Sequence, residues 1–330
     1  MKNGNILLKL AVVLTLVGLT ACKSRRPDIS GLMPAVEIQR LDRDIFRYSG
    51  AELSQKYGDF FDRYTEQILE IGKYGDEDFD RNLEMFRADS LVRIADSMVK
   101  AQYPNLDELT AQLNLALAYY RYWFPDKALP QLRTYIAGFC HSLIMTDSVL
   151  AIGLDKYLGD DCRIYAELGF YKYMCLNMTG KKILSDCVLA WITGEWFFDA
   201  RKHNSLLFRM IYEGKILYAA INMLPDEPEF RIFGFTPEQM KWCENNEKNM
   251  WIHLVENKLL FSSNPLTIKK LIDIAPYTSE FTTESPGKAC CWIGYKIVAR
   301  YMKNSPTTTL AELMNIDDYE QIYRIAKYQP

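Results

Sequence analysis

Histidine is nearly absent from this chain. Only His141, His203 and His253 occur in 330 residues, and no two stand four apart, so little material exists for an imidazole-based metal site. Cysteine occurs eight times but never as a C-x-x-C pair, so neither a zinc ribbon nor a thioredoxin-like motif is present. No G-x-S-x-G elbow occurs, and no glycine-rich phosphate loop precedes a helix. The 39 Lys and Arg are nearly balanced by 42 Asp and Glu, which excludes a strongly basic nucleic-acid binder. No internal repeat or low-complexity tract is found.

Apolar and aromatic mass is plentiful instead. The chain is 49% hydrophobic, with 21 Tyr, 16 Phe and 6 Trp, far too much for a disordered protein. Its length fits one large domain or two modest ones.

The N-terminus is read first as a targeting segment. Lys2 and Lys9 precede the apolar stretch Leu10 to Leu19, which falls short of the roughly 20 apolar residues a bilayer-spanning helix needs. Leu19-Thr20-Ala21-Cys22 has the form of a bacterial lipobox, where small residues admit the signal peptidase and the cysteine thiol receives the lipid. Two or three acyl chains, at about 0.8 kcal/mol per buried CH₂, anchor stably. Residues 1–21 are therefore expected to be a lipoprotein signal peptide and Cys22 the lipidated first residue of the mature chain. Removing that segment takes two lysines with it and moves the formal charge from −3 to −5. Lys23-Ser24-Arg25-Arg26 follows as a basic patch suited to anionic headgroups. No acidic run comes after Cys22, so the expected location is the cell envelope, tethered to a membrane and facing the periplasm.

Residues 22–45 read as a lipidated tether and 46–330 as a single, mainly helical domain. Within it, 46–130 is helical, 131–155 carries strands and 180–330 is helical again. Leu53, Tyr57, Phe60, Phe61, Tyr64, Ile68 and Ile71 make one amphipathic stripe, and Leu83 to Met98 and Leu106 to Tyr122 two further helices. Arg133 to Phe139 and Ser148 to Gly153 are rich in β-branched and aromatic residues, with Thr146-Asp147 as a turn between them. Thr236-Pro237-Glu238-Gln239 is a capping box with proline at the first helical position. The expected fold class is mainly α (α+β), a helical bundle with a small antiparallel β-sheet. The cysteines after Cys22 number seven at irregular spacings, which predicts mostly buried free thiols with at most one bridge.

The segment Ser205 to Leu224 is apolar on nearly every side and so should be central. Glu213 and Lys215 lie inside it, where a buried charge is costly without a partner. Arg209, one turn before Glu213, supplies that partner as a structural ion pair. Strands followed by a buried helix bearing a glutamate also suggest a degraded zincin-like arrangement. Placing Glu213 as the general base puts Tyr212 and Ile216 where His-Glu-x-x-His has its ligands, and neither replaces an imidazole. Cys140-His141 are adjacent and poorly placed to act as a catalytic pair. Pro286, Gly287, Ala289 and Gly294 let another backbone approach closely. The helix they open is expected to pack on the Glu213 helix and wall a relict cleft holding Tyr212, Glu213, Asp155 and Glu284.

These segments, in this order, resemble the gliding-motility lipoprotein GldB family. The residues that carry the likeness are Gly153-Leu-Asp-Lys-Tyr-Leu-Gly159, Met210-Ile-Tyr-Glu-Gly-Lys-Ile-Leu-Tyr218 with Leu224-Pro225, and Trp242-Cys-Glu-Asn-Asn-Glu247. Ala275-Pro276-Tyr277-Thr278, Ser285-Pro286-Gly287, Trp292 to Val298 and Tyr301-Met302 complete the set. Cys290 stands where the pattern leads one to expect glycine. The resemblance implies an envelope lipoprotein accessory to gliding and to an associated secretion apparatus, with membrane and envelope proteins as partners. It implies no nucleic acid, cofactor, metal or catalytic residue. The alternatives are a peptide- or glycan-binding lipoprotein and, further off, a metal-dependent hydrolase with a non-standard site.

Overall fold

The computed structural model describes residues 26–330, so Cys22 and the apolar stretch before it lie outside the described residues. Four short strands, β1 (Ile38–Arg40), β2 (Gln131–Tyr135), β3 (Leu143–Met145) and β4 (Val149–Gly153), form one sheet in the order β1-β2-β4-β3. The sheet is mixed, not antiparallel throughout. β1 pairs with β2 and β2 with β4 in parallel, and only β3 runs antiparallel to β4. The turn at Thr146-Asp147 is real, with Thr146 N donating to Val149 O at 2.9 Å, but it joins β4 to β3 instead of to β2. β2 and β4 are thereby freed to lie side by side in the same direction.

Helices cover both faces of this sheet, which is why every residue of β4 is buried. Successive strand residues alternate between two cores, as a period of two requires. Leu132, Ile136, Leu150 and Ile152 join the larger core, while Tyr135, Ala137, Val149 and Ala151 join a smaller one. The smaller core contains Leu53, Tyr57, Phe60, Phe61 and Tyr64 of the predicted stripe. The stripe is not one helix. Gly58, at φ +54°, separates Gly50–Tyr57 from Asp59–Arg63, and a π-helical turn, Tyr64–Ile68, follows. The next predicted helix is also two, Phe79–Ala88 and Ser90–Gln102, because the Asp89 carboxylate accepts from Leu91 N and Val92 N and restarts the chain as an N-cap.

The larger core surrounds the Leu206–Met223 helix, whose buried residues include Met210, Ile211, Ile216 and Ala220. Each such fully buried large side chain contributes ~1.5–3 kcal/mol of hydrophobic stabilisation. The Ala289–Asn304 helix lies against it, backbone to backbone. A Cβ at Gly294 would stand 1.8 Å from Met210 O, and one at Gly214 2.3 Å from Gly294 O, so only glycine permits this approach. Cys290, one turn before Gly294, is fully buried in the same helix. Asp107–Trp123, Ile183–Glu195 and Pro237–Glu256 contribute side chains to this core. Thr236 and Gln239 form the expected capping box of the last of these. A final helix, Tyr319–Ala326, which the sequence reading did not anticipate, closes the body.

The tether is shorter than 22–45. Residues 38–44 fold as β1 and the short Leu41–Asp44 helix, drawn in by the burial of Leu41 and Ile45. Before β1, Val36 exchanges two 2.9 Å hydrogen bonds with the Asn114 side chain. Earlier still, Arg26 reaches Asp226 at 2.6 Å and Pro225 O at 3.2 Å. All seven cysteines after Cys22 are free thiols, six of them buried and Cys140 exposed. Among the described residues, no helix is long and apolar enough to cross a membrane.

Candidate functional site

Two adjoining cavities lie beside the central helix. One, about 480 Å³, is lined by Thr193, Glu213, Asp273, Lys288 and Cys291; the other, about 290 Å³, by Lys156, Lys182, Asp186, Asn177 and Gln239 among others. Leu189, Ile274 and Lys288 line both, so the two form one cleft.

Each wall has a local cause. Lys156 closes the 3₁₀ turn Leu154–Lys156 that follows β4, so the end of the central strand places it. Its ammonium sits 3.8 Å from the centre of the Phe170 ring. Lys182 pairs with Asp186, one turn on, at 2.8 Å and donates to Ser185 Oγ at 3.0 Å. Tyr157 OH donates to the same Asp186 carboxylate at 3.0 Å. Lys288 precedes the Ala289–Asn304 helix at φ +53° and ψ 32°, a left-handed conformation that costs a non-glycine residue about 1–2 kcal/mol.

The loop around Lys288 is tightly staked. Thr278 N donates to Ser285 Oγ at 3.1 Å, Thr278 Oγ1 to Pro286 O at 2.7 Å, and Ala289 N to Thr278 Oγ1 at 3.0 Å. Gly287 lies on the Ala275 backbone, where a Cβ would stand 2.1 Å from its carbonyl oxygen. The segments Ala275-Pro276-Tyr277-Thr278 and Ser285-Pro286-Gly287 are thus two halves of one clasp that presents Lys288.

Burial lowers the basicity of Lys156 and of Lys182, opposed in each case by a nearby carboxylate. It raises Glu213 from its ordinary value despite the Arg209 guanidinium 2.9 Å away. The expected Arg209–Glu213 pair is therefore present, about a quarter to a third exposed.

The four residues expected to share the cleft do not meet. Glu213 alone lines it. Tyr212, the next residue on the helix and so turned about 100° away, faces a different hollow with Lys215, Asp317 and Tyr319. Asp155 is fully buried under the loop after β2, its Oδ2 accepting from Ala137 N at 3.0 Å and Phe139 N at 2.7 Å. Burial there outweighs those bonds and pushes its carboxyl up to about 6. Glu284 is exposed on the clasp and lines neither cavity. The sequence reading missed Lys156, Lys182, Asp186 and Lys288. Two of them had a signal: Lys156 and Lys288 sit inside or beside the very segments that carried the family likeness.

The histidines stand apart from the cleft. His203 Nε2 lies 2.8 Å from Asp317 Oδ1, His253 stacks edge-on to Phe281, and His141 is exposed. Among the described residues, no three or more His, Cys, Asp or Glu side chains converge as a metal site. Tyr212 and Ile216, where zincin ligands would stand, are both buried.

Architecture and site together define a three-layer, mainly helical protein with a charged cleft against its central helix. The chain belongs to the gliding motility protein GldB family, whose sequence profile matches residues 22–330, from Cys22 onward. No curated protein and no solved structure matches it.

Proposed function

We propose that this chain is a non-catalytic envelope lipoprotein, anchored through Cys22 and facing the periplasm, that assists the gliding machinery and its associated secretion apparatus. The observation that carries this reading is the family membership over residues 22–330, a lipoprotein family that the match enters at the cysteine itself. The site supports a binding role. Glu213 lies in an open cleft, and the helix positions flanking it hold Tyr212 and Ile216, which offer no ligand set for a hydrolytic metal. The cleft receives a segment of an envelope partner, with Glu213 among its contacts. A second reading, a peptide-binding lipoprotein outside any motility machine, is favoured by the lysines of the smaller cavity.

The test uses the full lipidated chain in its own membranes, with a photo-crosslinking residue at Ile274, which lines both cavities. A control crosslinker goes at Met85, exposed on the far helical layer. Adducts with gliding or secretion components from position 274 and none from 85 are expected. Absence of such components from 274 rejects the accessory role. Glu213→Gln is expected to change stability by less than ~1 kcal/mol, as for a partly exposed pair, while weakening partner capture. Capture equal to wild type removes Glu213 from the contact.

A further inference from the structure

We propose that the cavity of about 290 Å³ between Lys156, Lys182 and Lys288 binds the free carboxylate end of a peptide. This inference deepens the second reading, peptide binding by the smaller cavity, and does not need the accessory role.

The charge balance of the walls is the first argument. Asp186 is the one acidic residue among those lining the cavity, and it is already engaged by Lys182 and by the Tyr157 hydroxyl. Lys156 and Lys288 are left without a carboxylate at salt-bridge distance among the described residues. Lys156 is the sharper case because it is 6% exposed. The Phe170 ring covers one side of its ammonium, and the other side opens to the cavity with no protein acceptor bonded to it. The neighbouring Asp155 does not serve, since Oδ2 is turned to the Ala137 and Phe139 amides and Oδ1 has no partner at all. An ammonium that is partly desolvated by its surroundings and lacks a carboxylate partner favours an anion entering the cavity it faces.

The neutral groups choose the kind of anion. Asn177 spends its Nδ2 on Gly234 O, which leaves Oδ1 as a free acceptor. Gln239 spends its Oε1 on Thr236 N, which leaves its amide NH₂ as free donors. One acceptor and one donor are the complement of a peptide unit. The remaining wall is largely apolar, including Leu189, Phe235 and Ile274, and suits a C-terminal side chain. Phosphate is the competing anion, since lysine binds it as a point charge, and the acceptor on Asn177 beside the donor on Gln239 is what favours a peptide end. The volume is at the small end for ligand pockets, about 300–1,000 Å³, and so fits a chain end.

The test is calorimetric titration of the full-length lipidated protein in detergent with acetyl-Ala-Ala-Leu as the free acid, as the C-terminal amide, and with inorganic phosphate. The acid is expected to bind at least about tenfold more tightly than the amide or phosphate, the worth of one charge-assisted hydrogen bond. Lys156→Met is expected to abolish that preference without lowering the thermal midpoint, because it removes a partly desolvated charge that has no carboxylate partner. Lys288→Asn, which keeps a residue tolerant of left-handed backbone, provides a second variant with the same expected loss. Equal binding of acid and amide, no binding of the acid at millimolar concentration, phosphate binding as tightly as the acid, or an undiminished preference in both variants would each overturn the proposal.

Discussion

Two helical layers flank one sheet, and each buries a cation to the same 6% exposure: Arg133 on the N-terminal side, Lys156 on the C-terminal side. Their surroundings differ completely. Arg133 donates to Gln39 Oε1 at 2.9 Å, to Tyr57 O at 3.1 Å and to Gln131 Oε1 at 2.9 Å. Its guanidinium also lies 4.7 Å from the Phe60 ring centre and 5.3 Å from that of Tyr57. Lys156 has one aromatic face and a cavity. Both cations border a hollow, about 320 Å³ at Arg133 and about 290 Å³ at Lys156, and what separates them is the protein acceptors already in place around the first. A buried charge whose donors are met inside the fold is structural, whereas Lys156 keeps its donors for the cavity.

That contrast can be broken most forcefully at the helix pair behind the cleft. Gly294→Leu drives a side chain into the Met210 backbone and is expected to cost more than ~5 kcal/mol, enough that little folded protein accumulates in expression trials. Next comes the N-terminal layer, where Phe61→Ala removes a fully buried ring at a cost of about 3–5 kcal/mol. Every tryptophan in the chain lies at residue 123 or beyond. Urea unfolding of Phe61→Ala followed by tryptophan fluorescence thus shows whether the layers unfold together. Coincident shifts in fluorescence and circular dichroism are expected, because both layers share β2 and β4; a shift in dichroism alone would make them separate units.

Asp155 tests the seam through pH. Its carboxyl is raised from 3.8 to about 6 by burial, so between those values the native protein holds a proton that the unfolded chain has lost. Asp155's own contribution to stability is therefore fully present below about pH 4, falls as pH rises to about 6, and then levels, a total on the order of 3 kcal/mol. Asp155→Asn is expected to flatten that slope in urea midpoints taken across the range. The smallest effects sharpen the opening contrast. Arg133→Met leaves the buried Tyr57 carbonyl without its donor and is expected to cost ~2 kcal/mol, while Lys156→Met leaves the thermal midpoint level or higher.

Much of this was legible in the residues. The capping box at Thr236 and Gln239, the all-round apolarity of Ser205 to Leu224, and the small residues at Gly287 and Gly294 each have a local meaning that tertiary packing kept. The mainly helical class followed from them. Strand direction did not. Thr146-Asp147 announces a hairpin without saying which earlier strand enters it, and β3, only three residues long, was hidden between stronger patterns. β1 was equally obscure, since Ile38-Gln39-Arg40 has no alternation to notice and gains its place only by pairing with β2. Helix breaks at Gly58 and Asp89 lay inside continuous apolar stripes, where periodicity survives a change of helix. For the site, Glu213 was visible because a charge in an apolar helix is conspicuous. Lys156, Lys182 and Lys288 look ordinary one by one, and their convergence depends on segments more than a hundred residues apart.

The clasped N-terminal segment has one more consequence, and it concerns distance. On the proposed anchoring at Cys22, with Arg26 held at Asp226, only four residue steps would separate the bilayer from the body, a reach of at most about 14 Å. The corner at Pro225 and Asp226 would then hug the membrane surface and fix which side of the protein looks outward. That ion pair is solvent-exposed and weak. Once it lets go, the next polar hold is Leu32, whose carbonyl accepts from Arg121 Nη1 at 3.4 Å, and the leash lengthens to at most about 36 Å. On that anchoring, a single surface contact would set two working heights above the membrane.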